Sequence, residues 1–183
     1  FCTSSCEKIY EPLGGSIGTH GFYKNIVLFA QTWGSVLRVA YLGLETNEFV
    51  RIPFSSTTED REQIFPFIFP FIFDGIIAYG ECPKAGVLGS PCETFLYDTK
   101  TKTSRSMGNG TPLAFSEGKL FIQRFGPSPP RMETQECPLE ATRFDGSEYR
   151  CIQMIDIANG SSSFITPYSH GSFYPEFRNY SLN

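Results

Sequence analysis

The chain has 183 residues, of which 40% are hydrophobic, 15% aromatic and 19% charged, and its net charge is −4 at pH 7. This composition is too apolar for a disordered chain, and the acidic balance excludes nucleic acid as the expected partner. The chain opens on Phe1 without a charged segment followed by an apolar one, so we expect a portion of a longer protein.

The cysteine pattern predicts disulfides rather than a metal site, because no paired C-x2-C motif is present. The six cysteines are Cys2, Cys6, Cys82, Cys92, Cys137 and Cys151. Cys82 with Cys92, and Cys137 with Cys151, could each close a local loop. Cys2 and Cys6 could pair with each other or with chain elsewhere, so the connectivity stays open.

Three Asn-x-Ser/Thr motifs, at Asn109, Asn159 and Asn179, predict N-glycosylation. Because glycosylation and disulfide formation both belong to the secretory pathway, we expect an extracellular protein. No cofactor is expected, since the sequence lacks zinc, nucleotide-binding and nucleophile-elbow motifs.

Gly and Pro interrupt the chain throughout, and no helical periodicity extends over three turns, so the pattern predicts an all-β fold. We predict strands at residues 24–30, 36–42, 49–53, 74–80, 94–98, 103–107, 117–123, 150–156 and 163–166. The ten-residue apolar run 64–73 contains prolines at two positions and is too short to span a membrane. We interpret it as an apolar linker under a sheet, with a lipid-inserting loop as the alternative.

The predicted strands recur in a pattern of one apolar strand, a variable loop, a second strand, a polar turn and a third strand. The apolar cores of the first strands start at Ile26, Ile76 and Leu120, in steps of 50 and 44 residues. This spacing is typical of β-propeller blades and predicts units at 15–56, 65–107 and 112–167 within one β-rich segment, 1–183. A β-sandwich is the alternative.

Several motifs resemble the head of paramyxovirus attachment glycoproteins of the hemagglutinin-neuraminidase type. Residues 114–126, ending in Lys-Leu-Phe-Ile-Gln-Arg-Phe-Gly, are similar to a strand and Gly-containing loop of that family. Cys-Pro-Leu-Glu at 137–140 resembles its Cys-Pro-x-Glu, and Arg-Phe-Asp-Gly at 143–146 resembles its Arg-Phe-Gly-Gly. The segment 82–92 resembles its cysteine-rich loop.

The resemblance implies about three blades of a six-bladed propeller on a membrane-anchored, oligomeric stalk of the virion envelope. It also implies binding of a host cell-surface receptor, either a protein or a sialylated glycan. Glu140 and Arg143 are the two candidate binding residues that it identifies. In enzymatic members, three arginines hold the sialic-acid carboxylate, and a glutamate and a tyrosine support a covalent intermediate.

The sequence also departs from the enzymatic members of that family. The hexapeptide Asn-Arg-Lys-Ser-Cys-Ser would fall near 78–83 and is absent. Arg51-Ile-Pro53 matches a short sialidase motif, but we interpret Arg51 as structural. We therefore expect a receptor-binding head rather than an enzyme, which would use the loops 127–131 and 138–146. The alternatives are an exo-α-sialidase that uses Glu140 and Arg143, and a non-viral extracellular lectin-like or structural domain.

Overall fold

The computed structural model describes residues 17–33, 36–55, 61–63, 70–83, 92–125, 137, 143–144 and 149–165, which form β-strands joined by turns, with no helix among them. The strands are β1 (Ile17–Tyr23), β2 (Ile26–Trp33), β3 (Val36–Gly43), β4 (Glu48–Arg51), β5 (Arg61–Glu62), β6 (Phe71–Phe73), β7 (Ile76–Pro83), β8 (Glu93–Asp98), β9 (Thr103–Asn109), β10 (Thr111–Ser116), β11 (Lys119–Phe125), β12 (Arg143–Phe144), β13 (Tyr149–Asp156) and β14 (Ser162–Ile165).

These strands form three antiparallel sheets that follow one another along the chain. Sheet 1 has the order β1-β2-β3-β4, sheet 2 has β6-β7-β8-β9, and sheet 3 has β10-β11-β13-β14. The short strands β5 and β12 pair with the far ends of β7 and β13. The predicted all-β class is confirmed, and each predicted unit overlaps one sheet.

The sequence-based prediction missed the first strand of every sheet, namely β1, β6 and β10. It also began the second strands two residues too early, because Lys24, Asp74 and Glu117 lie in turns with φ of 51°, 47° and 50°. Asp74-Gly75 and Glu117-Gly118 have positive φ at both positions, the conformation of two-residue type I′ hairpins. The Asp-Gly dipeptide was therefore the available signal for the missed hairpin.

A backbone hydrogen bond is repeated in all three sheets and joins the two turns at one end. In each sheet, a two-residue turn joins the first strand to the second. The carbonyl oxygen of the second turn residue accepts a hydrogen bond from the backbone N–H of the residue that follows the third strand. The N···O distances are 2.7 Å for Leu44 to Asn25, 3.0 Å for Thr99 to Gly75 and 2.9 Å for Ile157 to Gly118. We call this end of each sheet the turn end, and the opposite end the loop end.

The three sheets stack face to face, so sheet 2 buries both of its faces. Side chains of a strand alternate between faces, and in β7 Ile77 and Tyr79 point to sheet 1 while Ala78 points to sheet 3. The core between sheets 1 and 2 contains Leu28, Val39, Tyr41, Ile52, Ile77, Tyr79, Phe95 and Tyr97. The core between sheets 2 and 3 contains Ala78, Leu96, Phe115, Leu120, Ile122 and Ile155.

The first strands of the sheets lie beside one another, with β6 in contact with both β1 and β10. The ring of Phe73 lies 5.2 Å from that of Tyr23 and 5.8 Å from that of Phe115, centroid to centroid. Each such pair contributes roughly 0.5–1.5 kcal/mol beyond the burial of its area. This ladder of three aromatic rings therefore joins the sheets along one edge.

The apolar run 64–73 contributes part of this edge. Its last residues, Phe71–Phe73, form β6, and the preceding Pro70 is buried, while residues 64–69 lie outside the described chain. Among the described residues, no helix has the length and apolar character needed to cross a membrane.

The crossover from sheet 2 to sheet 3 requires glycine at position 110. Gly110 has φ of +133°, and a Cβ there would lie 2.6 Å from the Gln123 carbonyl oxygen. We expect Gly110→Ala to lower the free energy of unfolding by about 1–3 kcal/mol, measured by urea denaturation. Gly118→Asn is the control, because Gly118 has φ of +73° with open space around it and Asn tolerates this region. An equal loss in both variants would contradict this account.

Candidate functional site at the loop end

Two disulfides stabilise the loop end. Cys82 at the end of β7 is bonded to Cys92, which precedes β8, with 4.2 Å between their Cα atoms. Cys137 is bonded to Cys151 of β13, with a Cα separation of 5.8 Å. Both local pairings considered from the sequence are confirmed, and they indicate an extracellular or secreted protein. Cys2 and Cys6 lie outside the described residues.

A buried polar side chain occupies the same position near the loop end of every sheet. Gln31, Glu81 and Arg124 each lie six residues after the second residue of the two-residue turn. Their exposed fractions are 0%, 0% and 7%. The sequence analysis did not single out any of them, although a shared offset from the Asp-Gly and Glu-Gly turns was a readable signal. Because burying a polar group without hydrogen-bond partners costs free energy, we describe the partners of each of these three side chains in turn.

Glu81 of sheet 2 reaches back to sheet 1. Its Oε1 accepts a hydrogen bond from the backbone N–H of Ser55, at 2.7 Å, just after β4 ends. The Tyr79 hydroxyl lies 3.3 Å from the Ser55 Oγ and 3.0 Å from the Ser104 Oγ. This network attaches the chain that leaves sheet 1 to the face of sheet 2.

Arg124 of sheet 3 makes the corresponding contact with sheet 2. Its Nη2 donates to the Met107 carbonyl at 2.7 Å, and its Nη1 donates to the Asn109 carbonyl. Its Nε donates to Gln153 Oε1 at 2.8 Å within sheet 3. The guanidinium therefore attaches the end of β9 to sheet 3 through backbone carbonyls.

Gln31 of sheet 1 has a hydrogen-bond partner for its side-chain oxygen but not for its side-chain nitrogen. Its Oε1 accepts from Arg51 Nε at 2.9 Å, while its Nε2 is buried without a hydrogen-bond partner. The neighbouring Arg38 lies directly opposite Gln31 in the β2–β3 pairing, and its guanidinium carbon is 4.9 Å from the centre of the Phe54 ring. Arg51 is thus held by a side chain of its own sheet, in agreement with its structural interpretation.

The other candidate residues are placed only in part. Glu140 lies outside the described residues, and for Arg143 only the backbone is described, in β12 opposite Arg150 of β13. Their assignment as binding residues therefore stays a prediction. Asn109 and Asn159 are exposed, as glycan acceptors must be, while Asn179 lies outside the described residues.

Burial controls the protonation of Tyr79, which lies next to Glu81. Burial raises the pKa of Tyr79 to about 12, with Glu81 adding to the effect, so its phenol stays protonated at neutral pH. A tyrosine nucleophile would need the opposite shift. Within the described part of the chain, no group of three or more His, Cys, Asp or Glu side chains could hold a metal ion.

Two small grooves open on the side of sheet 2 that faces sheet 3, and Arg124 lines one of them. One, of about 290 Å³, is lined in part by Arg105, Met107 and Ile155, and the other, of about 330 Å³, by Arg105, Leu96 and Asp98. Asp98 Oδ1 accepts from the backbone N–H groups of its own turn, so its carboxylate closes a hairpin rather than facing a substrate.

The chain matches no known protein-family model, no curated protein and no solved structure.

Arg124 supplies the first test of the loop-end contacts. We expect Arg124→Leu to lower the free energy of unfolding by roughly 2–4 kcal/mol, because the carbonyls of Met107 and Asn109 lose a charged donor that is itself 7% exposed. Urea denaturation followed by circular dichroism measures this. Arg105→Leu is the matched control on exposed β9 and should change stability little. If the two variants lose the same stability, the contacts of Arg124 do not fix this interface.

The buried tyrosines predict the pH dependence of stability. Burial raises the pKa of Tyr41 and Tyr79, so the folded state favours the neutral phenols. Their stabilisation is complete below the ordinary tyrosine pKa of about 10 and is lost as pH rises through the folded-state values. We expect the urea midpoint to fall between about pH 10 and pH 12. Ultraviolet titration should show tyrosines that ionise only as the protein unfolds, and their ionisation in the folded state near pH 10 would contradict the prediction.

Proposed function

We propose that the three sheets are consecutive blades of a β-propeller in the head of a viral attachment glycoprotein, and that its loop end binds a host cell-surface receptor. The observation that carries the proposal is the division between a uniform turn end and a variable loop end. The turn end repeats one hydrogen bond in all three sheets. The loop end carries the two disulfides, and its connections between second and third strands differ in length from sheet to sheet.

The stacking supports the propeller part of the proposal. Blades of a propeller are four-stranded antiparallel meanders arranged around an axis, with their first strands innermost. The contacts of β6 with β1 and β10, and the aromatic ladder along them, fit such an inner edge. A sandwich packs two sheets on each other, whereas the described residues form three sheets in series.

The disulfides and the buried polar contacts near the loop end support a binding head over an enzyme. Receptor-binding surfaces are commonly built from loops on a rigid scaffold, and each disulfide here shortens the free length of such a loop. The described ionisable groups near the loop end are occupied structurally, since Glu81 binds a backbone N–H group and Arg124 binds backbone carbonyls. The motif similarity to attachment glycoproteins supplies the class of receptor, a protein or a sialylated glycan on a host cell.

Binding of the secreted, fluorescently labelled chain to cultured cells tests the proposal. We expect saturable binding that Arg143→Ala weakens at least tenfold, which corresponds to about 1.4 kcal/mol. Arg105→Ala is the control, because this exposed arginine lies on β9 and not in a loop of the loop end. Pretreating the cells with protease or with sialidase distinguishes a protein receptor from a sialylated glycan.

A fluorogenic sialoside assay on the same samples tests the enzymatic alternative. We expect no turnover. Turnover that disappears in Arg143→Ala and in Glu140→Ala would favour a sialidase, and unsaturable cell binding with no effect of Arg143→Ala would refute the attachment proposal.

A further inference from the structure

The two Asn-x-Ser/Thr motifs of the described chain, at Asn109 and Asn159, lie in opposite surroundings although both asparagines are exposed. The transferase that attaches N-glycans recognises the Asn amide together with the hydroxyl group two residues later, which is why the motif requires Ser or Thr. The accessibility of that hydroxyl group therefore matters as much as that of the asparagine. Thr111 is 8% exposed, whereas Ser161 is exposed.

The motif at Asn109 lies at the crossover from sheet 2 to sheet 3. Asn109 ends β9 and pairs with Glu93 of β8. Thr111 begins β10 and pairs with Gln123 of β11. Gly110 lies between them, and a Cβ at this position would meet the Gln123 carbonyl oxygen at 2.6 Å. The three residues of the motif therefore follow two neighbouring sheets closely and do not form a free loop.

Hydrogen bonds from both sheets hold the backbone of this motif. The Gly110 N–H donates to the Cys92 carbonyl at 2.7 Å, and the Gly110 carbonyl accepts from Thr94 Oγ1 at 3.0 Å. The Asn109 carbonyl accepts from Arg124 Nη1. A transferase binds its acceptor as a segment separated from the sheets, so all three hydrogen bonds would have to open first. Opening of this kind is rare in a packed region of a folded domain.

The motif at Asn159 lies in the turn between β13 and β14, at the turn end. Asn159 Oδ1 accepts a hydrogen bond from the Ser161 N–H at 2.8 Å, and the Gly160 N–H donates to the Asp156 carbonyl at 2.9 Å. A Cβ placed on Gly160 would meet no atom within 4 Å. Because these hydrogen bonds lie within the turn, a transferase can reach the motif without separating the sheets.

We propose that folding gives the two motifs different times of modification. Asn109 accepts a glycan only before the contacts around Gly110 close, whereas Asn159 remains an acceptor in the folded chain. Because the Asn109 side chain itself is exposed, a glycan attached early is accommodated when the sheets pack. Glycan transfer at Asn109 therefore competes with the folding of the crossover, and its occupancy depends on which of the two is faster.

The reaction at each asparagine is a group transfer from a lipid-linked oligosaccharide diphosphate. A bond forms between the Asn side-chain nitrogen and the first carbon of the sugar, and the bond from that carbon to the phosphate oxygen breaks. The amide nitrogen loses one proton, and the lipid diphosphate leaves. Since the enzyme holds the amide and the hydroxyl group at the same time, burial of the Thr111 hydroxyl stops the step at Asn109.

Purified oligosaccharyltransferase with a lipid-linked oligosaccharide tests the inference on the 183-residue chain produced without glycans. One sample is folded with its disulfides formed, and the other is denatured, reduced and alkylated. Trypsin separates the two sites into peptides 106–119 and 151–178, so mass spectrometry follows each rate. We expect both sites to react in the denatured chain, and Asn109 to react at least about a hundredfold more slowly in the folded chain. Asn159 should react at similar rates in both samples.

Two outcomes of this comparison would overturn the inference. One is equal reaction of Asn109 in the folded and denatured chains, and the other is a denatured chain that Asn109 modification does not reach. The inference rests on the two motifs and is independent of receptor binding, so cell binding and glycan transfer can fail separately.

A pair of threonine variants tests the contacts around Gly110. Thr94→Val removes the donor to the Gly110 carbonyl and should raise the rate at Asn109 in the folded chain about tenfold. Thr99→Val is the matched control, because it removes a hydroxyl donor to the Gly75 carbonyl, at 2.8 Å, at the turn end of the same sheet. An equal rise in both variants would overturn the closure at Gly110, and the rate at Asn159 is the internal reference in every sample.

Discussion

The alternation of side chains along β7 and β8 is the constraint on which the rest of the structure depends. Because successive residues of a strand point to opposite faces, a strand that reads as a nearly continuous apolar run must be covered on both sides. Sheet 2 meets this requirement with Tyr79 and Phe95 towards sheet 1 and Ala78 and Leu96 towards sheet 3. A sheet of this kind cannot lie at the surface, so it holds its two neighbours in a fixed order.

Polar contacts near the loop end fix the position of each sheet against its neighbour, which apolar packing alone does not do. Hydrophobic contact is non-directional, and by itself it leaves sheets free to slide. Glu81 and Arg124 remove that freedom, because each binds the main chain that leaves the preceding sheet and so fixes one strand end against the next sheet. Both charged groups are almost fully buried, and their hydrogen bonds compensate for the lost hydration. The same position in sheet 1, Gln31, carries an unused donor.

The two ends of the stacked sheets differ in how the chain connects the strands. At the turn end, short hairpins with left-handed residues are held by one repeated hydrogen bond, and little chain is left over for recognition. At the loop end of sheets 2 and 3, disulfides close longer connections, and buried Glu81 and Arg124 bind neighbouring backbone. The receptor-binding role that we propose would need variable loops on a rigid base, and the stacked sheets are a base of that kind.

The sequence by itself determined the all-β class and most strand positions, because apolar alternation and the placement of Gly and Pro are local signals. Its cysteine spacing suggested the two local disulfides but left their connectivity open. The sequence did not reveal β1, β6 and β10, since β6 is only three residues long and β10 contains a proline and a bulge. Nor could it single out Glu81, Arg124 or Gln31 among other charged and polar residues. Their importance comes from burial against backbone atoms of a neighbouring sheet, and only the tertiary structure decides which distant backbone atoms a side chain meets.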